Sequence, residues 1–357
     1  DYLADISAVG ILDAMMGETY DYDIYPVINA QNLVIADLPA FVSENEEEMQ
    51  KRYSQSAQAV YQEIVWPSLT SIASRTGAKM TCMMTPQFTY TDEEEPDGEN
   101  VTYYLKRLKE EHAEAGLSAD SREGILLSEK IKQDQTFWQT YAPSYRFLSL
   151  YADGVKSIGE ESALPAEIRT VALGSGASGQ AVGYLNENVT LQPSTSSGIR
   201  HTFLEDFKLK CMETALGYSN ITLDLYSVTY PEGDEDSWEK MSKKIAANLG
   251  TYWKAYEAFD ATTLTESDVR IRRFLALDYK QQRAGNVITL SLEHREDAAW
   301  FLLRLHGEKV TEVAGGSFEE IEDGVYLILA EEDEVSVEVQ NGETWQYQDG
   351  GKCGDGT

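Results

Sequence analysis

Residues 31–41 read QNLVIADLPAF, an apolar run that carries one carboxylate, Asp37, to its end before Pro39 stops it. A short apolar run bounded in this way is typical of a buried β-strand. The ends of such strands are where open and closed α/β folds do their chemistry. The stretch therefore predicts an α/β fold with Asp37 at its working edge, as a catalytic residue if the protein is an enzyme.

Similar short apolar runs recur between helical patterns along the first three quarters of the chain. Strands that alternate with helices favour a parallel sheet or a barrel. We therefore expect a (β/α) barrel over residues 31–265, after an N-terminal segment at residues 1–30. The runs that predict further barrel strands are 78–84, 145–151, 168–173 and 221–228.

The pattern changes near residue 269, where short runs with two-residue alternation follow one another, separated by Gly, Asn or Asp. Such alternation is typical of antiparallel strands with one solvated face, and several in succession favour a β-sandwich. We predict a β-sandwich over residues 266–345 and a disordered tail over residues 346–357. The alternating runs are 270–279, 286–294, 299–307, 324–332 and 334–340.

The chain is strongly acidic, with 29 basic and 61 acidic residues and a formal net charge of −32. Nucleic-acid binding needs a basic surplus that displaces counterions from phosphates, so no nucleic-acid partner is expected. An anionic membrane surface is unfavourable for the same reason. A cationic partner, such as a polysaccharide with free amines, is favoured, although the charge alone also fits a solubilising surface.

Cysteine and histidine are too sparse for a disulfide framework or a metal site. The three cysteines are far apart, and the four histidines form no pair at ligand spacing. No metal and no other cofactor is therefore expected. No apolar run of about 18 residues is present that would span a membrane. The chain begins at Asp1 without a signal peptide, and we expect an extracellular or cell-envelope protein whose signal or anchor lies outside this chain.

The segment 226–236, YSVTYPEGDED, gathers tyrosines and carboxylates directly after a predicted strand. Tyr226, Tyr230 and Glu232 suit sugar stacking and hydrogen bonding to hydroxyl groups. The alternative is that an aspartate of the segment caps the next helix and the rest is solvated. Asp224, on the strand itself, points either into a barrel lumen or to solvent at a strand edge.

Strand-borne Asp37 is followed by four segments in a recognisable order, namely 64–86 (IVWPSLTSIASRTGAKMTCMMTP), 112–118 (HAEAGLS), 145–151 (YRFLSLY) and 223–241 (LDLYSVTYPEGDEDSWEKM). This order resembles the polysaccharide deacetylase superfamily, in particular its divergent bacterial branch associated with exopolysaccharides. The likeness covers roughly residues 30–260. It implies a distorted (β/α) barrel, and a C-terminal β-domain is compatible with such envelope proteins.

Enzymes of that family hold a metal with an Asp pair near the first strand and two His on a later loop, and they use an Arg motif and a late His as general acid. By position, Asp37 stands in the first motif and Arg146 in SYRF matches the Arg motif. Residues 116–120, GLSAD, fall where the metal histidines belong, and the late loop carries Ser227 and Tyr230. The resemblance thus implies a deacetylase-like protein without the ligands of a water-activating metal.

We therefore expect a catalytically degenerate protein, a pseudoenzyme, that binds a polysaccharide or supports exopolysaccharide assembly or modification. One alternative is an active carbohydrate hydrolase, either a metal-dependent deacetylase with atypical ligands or a glycosidase with two carboxylates. Another is a structural interaction protein whose β-sandwich docks other envelope proteins. The residues predicted to line the binding groove with Asp37 are Arg146, Asp224, Tyr226, Tyr230 and Glu232.

Overall fold

The structure is a computed structural model that describes residues 8–38, 41–90, 96–122, 125–154, 158, 164–174 and 180–342. The predicted disordered tail at residues 346–357 lies outside this range. The described chain divides into two compact units. The first consists of Val27–Leu275 together with the described residues up to Ala14. The second consists of Met15–Pro26 together with the described residues from Ala276 onward.

Helices and short strands alternate through the first unit, and strands make up most of the second. The α-helices are α1 (Ala8–Thr19), α2 (Glu46–Tyr53), α3 (Ala57–Val60), α4 (Trp66–Thr76), α5 (Glu99–Glu110), α6 (Leu127–Tyr141), α7 (Phe203–Leu216), α8 (Tyr226–Thr229), α9 (Trp238–Asn248) and α10 (Leu264–Ala276). π-Helical turns occupy Tyr61–Val65 and Leu249–Trp253, and 3₁₀ turns occupy Asp234–Asp236 and Lys254–Tyr256. Among the described helices, none combines the length and apolar character needed to cross a bilayer.

The strands are short throughout the first unit and longer in the second. Those before residue 265 are β1 (Tyr22–Val27), β2 (Ala30–Ala36), β3 (Met80–Met84), β4 (Glu114–Ser118), β5 (Ser149–Ala152), β6 (Thr170–Leu173), β7 (Gly183–Tyr184), β8 (Thr190–Pro193), β9 (Tyr218–Asp224) and β10 (Ala261–Thr262). Those that follow are β11 (Asp278–Ala284), β12 (Val287–Glu293), β13 (Ala299–Leu305), β14 (Glu308–Ala314), β15 (Gly316–Glu322), β16 (Val325–Ala330) and β17 (Glu334–Asn341).

Parallel strands of the first unit form one curled sheet in the order β9-β2-β3-β4-β5-β6-β8. Beyond β8 the chain returns to β9, where the backbone N–H of Thr195 donates to Asn220 O at 2.8 Å. The N–H of Thr222 donates to Ser196 O at 2.9 Å in the same place. The sheet therefore curls round on itself as a distorted barrel. The predicted α/β class, a barrel-like parallel sheet with a separate antiparallel C-terminal part, is confirmed.

Strand β2 is buried along its whole length because both of its faces are covered. Leu33 and Ile35 pack into the large apolar core that includes the helices. Val34 and Ala36 belong to a separate cluster that includes Tyr151. Successive side chains of a strand point to opposite faces, so the second pair lies inside the barrel. Burial on both faces explains why residues 33–36 of this strand are continuously apolar.

Polar side chains fill the barrel interior near the amino-terminal ends of the strands. Asn32 Nδ2 donates to Gln192 Oε1 at 3.0 Å, and Gln192 Nε2 donates to Thr170 Oγ1 at 2.8 Å. Thr190 Oγ1 donates to Asp268 Oδ1 at 2.6 Å. Buried polar groups that satisfy one another rigidify a core. We interpret this end of the barrel as structural, because these side chains are occupied with each other.

Residues 264–276 form the helix α10, although the sequence predicted an antiparallel strand over residues 270–279. That prediction was wrong because most of the buried residues of this helix precede residue 270, outside the run from which the strand was predicted. The spacing i, i+3, i+4, i+7 is that of a helix face that packs on a core. The buried residues that follow this spacing are Leu264, Ser267, Asp268 and Ile271.

Two four-stranded sheets form the second unit, in the orders β1-β13-β16-β15 and β11-β12-β17-β14. The strands from β11 onward pair antiparallel. Ile288 and Val337 of one sheet share a core with Phe301 and Ile328 of the other. Two sheets that share one core in this way form a sandwich. Strand β1 joins the first sheet, so residues 22–27 of the predicted N-terminal segment lie in the sandwich.

Glu213 on α7 is fully buried, and neither carboxyl oxygen has a hydrogen-bond partner among the described residues. Burial raises its pKa from 4.5 to about 8. The folded state thus favours the protonated form of Glu213. This carboxyl group does not destabilise the protein at acid pH, and its destabilising effect grows as the pH rises from 4.5 to about 8. We expect Glu213→Gln to raise the free energy of unfolding by about 2 to 3 kcal/mol at pH 7.

Urea unfolding at an acid and at a neutral pH measures this effect of Glu213→Gln. The gain in stability is expected to be small at the acid pH, where the glutamate is protonated in both states. Glu129→Gln, at an exposed position of α6, is the matched control and is expected to change stability by less than about 0.5 kcal/mol. An equal effect of Glu213→Gln at both pH values would contradict this explanation.

Candidate functional site

The carboxyl-terminal ends of the parallel strands bring four aspartates to one end of the barrel. Asp37 follows β2, Asp120 follows β4, Asp153 follows β5, and Asp224 ends β9. Chemistry in barrels of parallel strands is done at this end. Repulsion between these carboxyl groups contributes to the raised pKa values of Asp37, Asp120 and Asp224. We call these four residues the aspartate cluster, and the end of the barrel that they occupy the barrel mouth.

Asp37 is held in a single buried position beneath the rest of the cluster. Its side chain is 1% exposed, and its Oδ1 accepts a hydrogen bond from Ser118 Oγ at 2.7 Å. Ser118 Oγ in turn accepts from the backbone N–H of Asp120 at 3.1 Å. The backbone of Asp37 has a φ of 55°, a left-handed conformation that is unfavourable for a residue other than glycine. Strain of this kind concentrates at functional sites.

Burial and mutual repulsion raise the pKa values of three members of the aspartate cluster. Burial raises the pKa of Asp37 well above its usual range, with Asp120 and Asp224 adding to it and Ser118 and Lys130 opposing. Burial raises the pKa of Asp120 to about 7, and Asp224 and Asp153 add to that shift. Burial is also the largest cause of the raised pKa of Asp224. The ionisation of Asp37, Asp120 and Asp224 is therefore coupled.

The outer part of the aspartate cluster faces solvent. Asp153 and Asp224 are exposed, and the backbone N–H of Asp153 donates to Asp120 Oδ1 at 3.4 Å. Gly174 at the end of β6 leaves room for this arrangement. A Cβ atom at that position would lie 2.7 Å from both Asp153 Oδ1 and Tyr151 Oη. Any other residue at position 174 would have to displace one of these two groups.

Lys130 supplies a buried positive charge below the barrel mouth. Its Nζ donates to Ser118 O at 2.8 Å and to Asp134 Oδ2 at 2.6 Å. Tyr90 Oη donates to the other oxygen of Asp134 at 2.6 Å. The lysine lowers the pKa values of Asp37 and Asp120, against the larger effect of burial. It therefore fixes the position of Ser118 and moderates the repulsion within the aspartate cluster.

Aromatic side chains border the aspartate cluster on one side. Tyr226 and Tyr230 of the segment after β9 lie with ring centroids 5.1 Å apart and planes at 30°. Phe88 meets both edge-on, at 5.1 Å and 5.8 Å. The guanidinium of Arg122 lies 4.2 Å from the ring centre of Tyr230. We call these four residues the aromatic flank.

The aromatic flank is fixed from below by a buried carboxylate and is close to the aspartates. Glu44 accepts from the backbone N–H of Phe88 at 3.2 Å and from that of Thr89 at 2.8 Å. The backbone N–H of Tyr226 donates to Asp224 Oδ1 at 2.8 Å. Burial raises the pKa of Tyr226, and Asp37 and Asp224 contribute to the shift. Aromatic rings and carboxylates thus share one rim of the barrel mouth.

Four of the six residues predicted to line a groove come together at the barrel mouth, and two do not. Arg146 precedes β5 and so lies at the opposite, amino-terminal end of that strand, beside a small cavity that Trp138 also lines. Glu232 is exposed in the loop after α8, and its backbone N–H donates to Asp236 Oδ2 at 2.8 Å. The residues that come together are Asp37, Asp224, Tyr226 and Tyr230.

Several residues of the site were missed in the sequence. Asp120 and Asp153 carry the same signal as Asp37, because each directly follows an alanine at the end of an apolar run. No local sequence pattern points to Phe88 or Arg122, because both lie in loops whose conformation places them at the site. Lys130 and Asp134 have the i, i+4 spacing of an ordinary surface ion pair on a helix, and only the structure shows that they are buried.

Enzymes of the deacetylase family that the sequence resembles hold a metal with aspartate and histidine, and the sequence predicts that these ligands are missing here. In the part of the chain that the structure describes, no group of three or more His, Cys, Asp or Glu residues is arranged to hold a metal ion. Asp37, at the position of the first motif, accepts a hydrogen bond from Ser118. The residues present do not fit the metal site of that family, so no metal-dependent chemistry is assigned to this mouth.

Three of the four histidines make side-chain contacts outside the aspartate cluster, and the fourth is exposed. The ring of His201 stacks on Tyr252 with centroids 5.3 Å apart. His306 Nε2 lies 2.7 Å from Gly17 O, and His294 Nε2 lies 3.9 Å from a carboxyl oxygen of Asp278. His112 is exposed in the turn after α5. None of these contacts includes an aspartate of the barrel mouth.

No protein-family model matches the chain, and no curated protein matches its sequence. A solved Mycobacterium smegmatis protein described as a polysaccharide deacetylase is 8% identical, with a TM-score of 0.40 over 68% of this chain and 90% of its own. A Parabacteroides distasonis protein described as a glycoside hydrolase or deacetylase is 10% identical, with a TM-score of 0.38. The match covers 78% of this chain and 82% of that protein. An endo-β1,6-glucanase is 10% identical, with a TM-score of 0.33, and the match covers 95% of this chain and 90% of the glucanase chain. These likenesses are too distant to assign a function.

Proposed function

We propose that the first unit binds a saccharide chain at the barrel mouth. The observation that carries this proposal is the position of two partly exposed tyrosines, Tyr226 and Tyr230, directly beside the aspartate cluster. A pyranose ring has an apolar C–H face and a polar edge. Its face can stack on an aromatic side chain while its hydroxyl or amino groups hydrogen-bond to carboxylates. The barrel mouth offers both kinds of contact side by side.

The charge of the barrel mouth favours a sugar that carries a free amine. Asp153 and Asp224 are exposed there, whereas Lys130 is fully buried and Arg122 stacks on an aromatic ring. An ammonium group placed among these carboxylates would favour their ionised forms and be attracted by them. The net charge of −32 acts in the same direction over a longer range. We therefore propose a polysaccharide with free amino groups as the ligand of the first unit.

Replacing the tyrosines tests saccharide binding at the barrel mouth. Tyr226→Ala and Tyr230→Ala are each expected to weaken binding of a β1,4-linked glucosamine hexasaccharide about tenfold, because each removes one stacking surface. Isothermal titration calorimetry at low salt measures the affinity. Tyr141→Ala, which removes an exposed tyrosine of α6, is the matched control. Affinities equal to that of the unchanged protein for both mouth variants would exclude the tyrosines as the saccharide site.

Glycosidic hydrolysis is the second candidate function of the barrel mouth. The observation that favours it is the coexistence of Asp120, with a pKa of about 7, and the exposed Asp224 in one cluster. General acid catalysis works best when the pKa lies near the working pH. Glycosidases combine one protonated carboxyl group with one ionised carboxylate. Asp120 would donate the proton to the leaving oxygen, and Asp224 would act as the ionised partner.

A further inference from the structure

The second unit contains a cavity of about 820 Å³ that is separate from the barrel mouth. Its lining comes from the end of α1, from β1 and from the first strand of the other sheet, β11. Cavities of this size commonly hold small molecules or short segments of a polymer. The lining residues that matter here are Tyr20, Asp21, Tyr22, Asp23, Arg283 and Glu308.

Asp23 places a buried carboxyl group in the wall of this cavity. The residue is 8% exposed, and its Oδ2 has no hydrogen-bond partner among the described residues. Buried polar atoms are nearly always hydrogen-bonded in folded proteins, so this oxygen calls for a partner beyond the residues that the structure describes. Burial raises the pKa of Asp23, with the charge of Arg304 opposing the shift. A bound donor would complete its hydrogen bonding.

The other charged groups of the cavity are already occupied. Arg283 Nη2 donates to Glu308 Oε1 at 2.7 Å, and its guanidinium lies 5.3 Å from the ring centre of Tyr22. His306 Nε2 lies 2.7 Å from Gly17 O. The lining thus carries three carboxyl groups, Asp21, Asp23 and Glu308, against the one guanidinium of Arg283, and Arg304 outside the lining offsets part of the charge at Asp23.

The cavity also has an aromatic surface open to solvent. Tyr20 is 56% exposed and lines the cavity close in sequence to the two aspartates. Exposed tyrosines beside hydrogen-bonding groups suit ligands with one apolar face and one polar edge. Sugar rings have this character, and an amino sugar also matches the excess of negative charge.

We propose that this cavity is a second saccharide site, which takes one or two residues of an amino-sugar polymer. Its ammonium group would be held between Asp21 and Asp23, and a ring face would stack on Tyr20. Binding here is independent of the barrel mouth, since all of the lining residues belong to the second unit.

Titration of the whole protein with the glucosamine hexasaccharide tests this second site. We expect two binding events per chain, of which Asp23→Asn and Tyr20→Ala each weaken one by at least tenfold. The N-acetylated hexasaccharide, which lacks the ammonium groups, is expected to bind the cavity at least tenfold more weakly. Asp278→Asn, at an exposed carboxylate of the same unit, is the matched control. Tyr20 is largely exposed, so its variant remains informative if Asp23→Asn fails to fold.

The same titrations distinguish failure of this site from failure of the barrel mouth. One outcome is a single binding event that Tyr226→Ala weakens and that Asp23→Asn and Tyr20→Ala leave unchanged. This outcome would overturn the second site and support binding at the barrel mouth alone. A single event that responds only to Asp23→Asn and Tyr20→Ala would support the cavity and exclude the mouth. Equal affinity of the cavity for the two hexasaccharides would overturn the role of the aspartates, and absence of any binding would overturn the site.

Discussion

Replacing Lys130 by methionine is expected to lower the free energy of unfolding by about 3 to 5 kcal/mol, since it leaves Asp134 buried without the positive charge that pairs with it. The lysine is fully buried, and its Nζ lies 2.6 Å from Asp134 Oδ2. The same substitution removes the hydrogen bond to Ser118 O. It also removes the charge that lowers the pKa values of Asp37 and Asp120. The variant is therefore expected to lose saccharide binding together with stability.

Chemical denaturation of three variants tests this account of Lys130. The double variant Lys130→Met with Asp134→Leu is expected to recover most of the lost stability, because no uncompensated charge remains buried. Lys210→Met breaks an exposed ion pair of the same i, i+4 spacing, Lys210–Asp206, and is expected to change stability by less than about 1 kcal/mol. If Lys130→Met were as mild as Lys210→Met, the buried pair would not stabilise the fold as described.

Asp120→Asn is expected to reduce hydrolysis of a glycosidic bond at the barrel mouth by about 10²- to 10⁴-fold, the usual contribution of a general acid. A general acid must be protonated, and the pKa of Asp120 is about 7. The rate of the unchanged protein should therefore fall as the pH rises through this value. Asparagine does not titrate, so the residual rate of the variant should lack this decline at alkaline pH. Release of reducing ends from the glucosamine hexasaccharide, followed between pH 5 and 9, measures both effects.

The control for Asp120→Asn is an aspartate outside the cluster. Asp234→Asn changes an exposed carboxylate in the loop after α8 and is expected to leave the rate and its pH dependence unaltered. Full activity of Asp120→Asn would exclude this residue as the acid. Binding of the hexasaccharide without any release of reducing ends would exclude hydrolysis of this sugar and leave binding as the function of the mouth.

The barrel strands were predictable because burial on two faces requires a short run of apolar residues in the sequence. Residues 33–36 are continuously apolar, and this is typical of a parallel strand between two covered faces. The helix α10 was missed for the complementary reason. Its buried face includes Ser267 and Asp268, whose polar side chains face the polar interior of the barrel, so an apolar pattern could not reveal it.

The aspartate cluster was predictable only in part. Asp37 was found because it lies at the end of an apolar run, and Asp224 because it alternates with leucines on a predicted strand. The runs before Asp120 and Asp153 end in the same Ala-Asp pair as the run before Asp37, and comparison of the three would have found both. The aromatic flank could not be predicted from the sequence, because the contacts of Phe88 and Arg122 with Tyr230 depend on the conformation of loops.

The pairing of β2 with β9 sets the order in which the protein can be completed during its synthesis. Residues 30–36 lie beside residues 218–224, so β2 acquires this long neighbour only after most of the first unit has been synthesised. Until residue 218 has been added, β2 keeps one edge unpaired, and such edges are templates for pairing with other chains. Contacts between distant parts of a chain also form slowly. Asp37 and Asp224 therefore become neighbours only late in folding, and a chain cut short before β9 has neither the closed sheet nor the complete cluster.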